Sequence, residues 1–82
     1  MSKEERMHEV ASDFSVALMY TLAKHFNTTV DVVIKVYDKT GYWKVVNNDE
    51  LMCIQAHCGE EEVIERLEAD FNEVLSRDNT QF

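Results

Sequence analysis

The sequence predicts an all-α fold, a compact bundle of four to five helices, and three observations carry that reading. Apolar residues recur at helical spacing in both the first and the last third of the chain. There is no proline anywhere. The only two glycines, Gly41 and Gly59, stand where helices would end. The competing architecture is α+β, a helix–β-meander–helix with a hairpin at 30–46, because the middle of the chain is rich in valine.

In the first third, Met7, Val10, Phe14, Ala17, Leu18, Thr21 and Leu22 form a helical stripe. The reading is a helix from about Lys3 to Phe26, with Asn27 as its stop. Glu4, Glu5 and Glu9 crowd its start, where the macrodipole favours negative charge.

The middle supports two readings. Val30, Val32, Val33, Ile34, Val36, Tyr37, Tyr42, Trp43, Val45 and Val46 have strand propensity, and Asp38-Lys39-Thr40-Gly41 would close a hairpin. On a helix, Val30, Val33, Ile34 and Tyr37 make a stripe, Thr28 and Asp31 stand at capping-box spacing, and Gly41 caps the far end. Beyond Gly41, a short helix through Tyr42 to Val46 and another from Asp49 to His57, capped by Asn48, complete this version. Leu51, Met52, Ile54 and Gln55 would lie near the inner side of the second.

The last third, Glu60 to Arg77, has Val63, Ile64, Leu67, Phe71, Val74 and Leu75 on one helical face. Glu61, Glu65 and Glu68 share the opposite face, while Glu62–Arg66 and Glu73–Arg77 stand at the favourable i,i+4 spacing. Asp78 to Phe82 reads as a frayed tail. The expected core is Val10, Phe14, Leu18, Leu22, Val33, Val36, Tyr37, Val45, Ile54, Val63, Ile64, Leu67, Phe71 and Val74.

Length allows one domain, residues 1–82. A chain of this size has a thin core, which makes a homodimer through leftover apolar surface a natural expectation. Sixteen acidic against eight basic residues give a net charge of −8. That balance argues against nucleic-acid binding, which needs a cationic footprint, and against attachment to an anionic membrane. The apolar runs are too short to span a bilayer, and the charged start Met1-Ser2-Lys3-Glu4-Glu5-Arg6 lacks a signal-peptide core. A cytoplasmic location with reduced Cys53 and Cys58 is expected.

From Asp13 onward the residue order resembles a family of short bacterial helical proteins of unknown function. The resembling features are Asp13-Phe14 with Val16, Asn27, Thr29, the Val33-Ile34 pair with Tyr37, and Lys39 with Gly41. They span about half the chain. The family's Leu-His-Thr turn is replaced here by Cys53-Ile54-Gln55-Ala56-His57-Cys58-Gly59. The resemblance implies a helix after Thr29. It also implies an accessory or antitoxin-like role, since such proteins are found near ADP-ribosyltransferase-like toxins.

No constellation points to catalysis. Cys53, His57 and Glu61 are spaced by four, which is a metal-ligand spacing on a continuous helix, but Gly59 interrupts it. His57 and Cys58 are adjacent and would point about 100° apart on a helix, too far for a nucleophile–base pair. The reading is therefore a non-enzyme with no cofactor, no metal and no catalytic residue. The alternative is a metal-dependent accessory or enzyme using Cys53, His57 and Cys58. The candidate binding residues are Glu61, Glu65 and Glu68, facing a basic or apolar partner surface, together with Tyr42 and Trp43 beside the solvated turn at Gly41.

Overall fold

The computed structural model describes residues 2–79 as five helices: α1 (Lys3–His25), α2 (Val30–Thr40), α3 (Trp43–Val46), α4 (Asp49–Cys58) and α5 (Glu60–Asn79). There is no strand among the described residues, so the all-α reading holds and the hairpin at 30–46 does not form. Burial explains the outcome. Val32, Val33, Val36 and Tyr37 are all buried, a helical pattern, whereas a strand would have grouped Val32 with Ile34 and Val36. Valine in a helix costs a few tenths of a kcal/mol, but burying each such side chain returns about 1.5–3 kcal/mol.

The helix ends follow local chemistry. Ser2 caps α1 by accepting from the Glu5 amide at 3.2 Å. Asn27 adopts a left-handed φ of 52° and stops α1, a conformation asparagine tolerates better than most residues. The helix α2 has Thr29 as its N-cap, without a side-chain cap bond, so the capping box expected from Thr28 and Asp31 is not made. Thr28 lies one residue outside the cap, and its amide instead donates to the Ala23 carbonyl at 2.8 Å. Gly41 closes α2 with φ 75°, and Asn48 caps α4 by accepting from the Leu51 amide at 3.1 Å.

The helices pack as two pairs, α1 with α4 and α2 with α5. His8 Nδ1 lies 2.9 Å from Asp49 Oδ2, and the Cys53 thiol donates to the Met7 carbonyl at 3.3 Å. His25, at the other end of α1, meets the start of α5. Thus α4 lies against the first half of α1, and α5 packs mainly against α2. The shape is elongated, 51 × 19 × 17 Å across the Cα atoms. Leu18, Leu22, Val33, Val36, Tyr37, Met52, Val63 and Phe71 form its fully buried centre.

Two expected core residues lie outside it. Val10 is 50% and Ile54 is 51% exposed. In α1, Ala11 takes the inward position, and in α4, Met52 and Gln55 do. Leu51 and Ile54 each precede one of these by a residue, which turns them about 100° away from the core. The helix α5 extends through Asn79, so Asp78 and Asn79 belong to it rather than to a tail; residues 80–82 lie outside the described residues. No helix among the described residues is long and apolar enough to cross a membrane.

Candidate functional site

The helix α5 buries Val63, Leu67 and Phe71, spaced by four, and this turns Glu61, Glu65 and Glu68 outward. What makes them a site is the end of α1. The Phe26 ring stacks on Phe71 with centroids 4.2 Å apart and planes 7° from parallel, pinning the end of α1 to α5. The His25 ring meets Phe26 edge-on at 4.8 Å. His25 then walls one side of an open depression of about 380 Å³, whose other residues are Glu61, Ile64, Glu65 and Glu68. A shallower hollow lined by Glu65, Glu68, Ala69 and Asn72 continues it along α5.

The nearby cations are engaged elsewhere. Arg66 sits 3.8 Å from Glu62, and Arg77 bonds Glu73 at 2.9 Å, as their spacing predicts. Lys39 reaches from α2 to Glu73 and, at 3.4 Å, to Asp70. Among the described residues, no lysine or arginine pairs with Glu61, Glu65 or Glu68. Their mutual repulsion at i,i+4 and i,i+3 is a small local cost, a few tenths of a kcal/mol per pair. The depression thus joins fixed negative charge to an apolar patch at Ile64.

The turn around Gly41 is solvated at Asp38, Lys39, Thr40 and Lys44, but Tyr42 and Trp43 fold inward from it. Tyr42 is 5% exposed, and its hydroxyl donates to Gln55 Oε1 at 3.1 Å. It therefore offers a partner almost no surface. Trp43 is half-buried, its ring edge-on to Tyr37 at 5.1 Å and its indole N–H donating to Asp38 Oδ1 at 2.7 Å. Two aromatic rings gathered on Tyr37 leave Trp43 alone with an outer edge.

Cys53, His57 and Cys58 do not converge. The Cys53 thiol is directed at the Met7 carbonyl, while His57 and Cys58 are exposed on the last turn of α4. The Glu62 carboxylate beside Cys58 holds its thiol above the ordinary range, the opposite of an activated thiolate. No three His, Cys, Asp or Glu side chains among the described residues cluster in a metal-holding arrangement.

Sequence reasoning named the three glutamates as a candidate face, and the structure sets His25 and the outward part of Ile64 beside them. The signal for both was the Phe26–Phe71 stack, which no local pattern in either segment contains. Comparison with family models, with curated proteins and with solved structures finds no match for this chain.

Proposed function

We propose that this protein is a non-catalytic interaction module of the cytoplasm that receives a basic side chain of a partner protein in the α5 depression. The observation that carries the reading is the grouping of Glu61, Glu65 and Glu68 around Ile64, none of them paired with a lysine or arginine among the described residues. An arginine or lysine suits such a site because its alkyl stem covers an apolar patch while its head meets the carboxylates. Each exposed ion pair is worth about 0.2–1 kcal/mol, so the glutamates set orientation and on-rate more than affinity. The contact with Ile64 and the partner's surrounding surface supply the rest. An antitoxin-like neutraliser of a cationic protein is the role that fits this chemistry and the family resemblance together.

The test is a pull-down from the native cell with the tagged chain, read by mass spectrometry, alongside a Glu61→Gln, Glu65→Gln, Glu68→Gln variant. A stoichiometric basic partner retained by the parent and lost by the variant is the expected result. A partner held equally by both, or recovery of the chain alone, would overturn the reading.

A further inference from the structure

The outer face of α1 carries a second, separate surface. Val16 is 57% and Tyr20 is 66% exposed, one helical turn apart, and they are the two most exposed large apolar side chains among the described residues. Ala17 lies beside them, also exposed. Along the same face, Glu9 and Asp13 lie toward the helix start, with Arg6 beyond them, and Lys24 lies toward its end, all exposed. Flanking the apolar pair, from Glu9 to Lys24, the stripe therefore reads acidic, apolar, basic.

That order is self-complementary in one orientation only. We propose that a second copy of this chain docks here, with the two α1 helices antiparallel about a twofold axis. An axis passing midway between positions 16 and 20 sets Val16 of each copy against Tyr20 of the other. The same axis brings Lys24 of one copy to within one position of Asp13 of the other, at both ends of the contact. A parallel pairing would instead lay Asp13 on Asp13 and Lys24 on Lys24, so the charges select the antiparallel arrangement. Tyrosine suits the centre, since its ring is buried while its hydroxyl reaches the wet rim.

The helix α1 is about 34 Å long. A specific interface at the low end of the range needs about 600 Å² per copy, an area that a helix face of this length can supply. The described residues expose 5648 Å², so this is near a tenth of the surface of each copy. A small interface of this kind is expected to be reversible, and a dissociation constant on the order of 10–100 µM is the range in which to look for it. The face is distinct from the Glu61, Glu65 and Glu68 depression, so either assignment stands without the other.

Sedimentation equilibrium of the full chain across that concentration range tests the inference, with circular dichroism as the check on folding. Tyr20→Glu is expected to raise the dissociation constant about tenfold or more while the helical spectrum is unchanged. Asp13→Lys and Lys24→Glu should each weaken the dimer, and the double swap Asp13→Lys with Lys24→Glu should restore it. Such rescue cannot arise from a merely destabilised fold. A parent chain monomeric to about 1 mM, a dimer indifferent to Tyr20→Glu, or a double swap no better than its singles would each overturn the proposal.

Discussion

The Tyr42 hydroxyl donates to Gln55 Oε1 at 3.1 Å inside the core, tying the turn after α2 to the inner face of α4. Gln55 is the buried polar residue of this interior, and Tyr42 is the partner that makes its burial tolerable. Tyr42→Phe leaves the glutamine carbonyl unpaired, and Gln55→Met leaves the phenol unpaired. Each is expected to cost about 1–3 kcal/mol. The double variant should cost clearly less than the sum, because both polar groups leave together. Urea denaturation of the four proteins measures the coupling.

Tyr37 offers the reverse case. It is fully buried, and its hydroxyl has no hydrogen-bond partner. Tyr37→Phe keeps the ring contacts with Tyr42 and Trp43 and removes the orphaned group. The expected gain is about 1 kcal/mol, or a rise of about 4–8 °C in Tm. A thermal melt decides it, and a loss of stability would show that the hydroxyl is satisfied in solution.

The same two tyrosines set the alkaline limit of the fold. Burial pushes both phenols above their ordinary range, Tyr37 further through its neighbour Tyr42, and Tyr42 against the opposing pull of Arg66. The unfolded chain releases these protons from about pH 10, whereas the folded chain keeps them. Above that pH the unfolded state binds fewer protons, so stability falls as pH rises. Denaturation midpoints taken between neutral and strongly alkaline pH should drop, and Tyr37→Phe should drop less.

At the acid end, Lys39 holds the Glu73 carboxyl below its ordinary range through their hydrogen bond, and Glu73 in turn raises Lys39. A depressed carboxyl contributes stability that is present above the ordinary glutamate range and lost as pH falls through the folded value. Lys39→Met should therefore lower stability at neutral pH and flatten the acid limb of the profile. Because the pair is partly exposed, the difference should shrink in high salt.

The two glycines differ in kind. Gly41 has φ 75° and ψ 15°, the left-handed cap region, while Gly59 has φ 98° and ψ 162°, a region essentially confined to glycine. Neither has a heavy atom within 4 Å of the place a Cβ would occupy, so the cost of a side chain is backbone strain alone. Gly41→Ala should cost about 1–2 kcal/mol and Gly41→Asn less, whereas Gly59→Ala should cost about 1–3 kcal/mol and gain little from asparagine. Chemical denaturation ranks all four.

By itself the sequence determined the periodic helices α1 and α5, the stop at Asn27, and the outward set of Glu61, Glu65 and Glu68, and it offered the caps at Gly41 and Asn48 only on its helical reading of the middle. These are local consequences of 3.6-residue spacing and of backbone conformations that few residues adopt. Only the tertiary structure decided the rest. Residues 30–40 could satisfy their backbone as helix or strand, and the choice fell to whichever packed Val32, Val33, Val36 and Tyr37 together against α5 and α1. Tyr42 became interior because Gln55 was there to accept its hydrogen bond, and Val10 and Ile54 became surface because Ala11 and Gln55 faced inward in their place. The depression exists because Phe26 stacks on Phe71, two residues 45 positions apart in the chain. Spacing sets which side chains share a face, but long-range packing sets what that face meets.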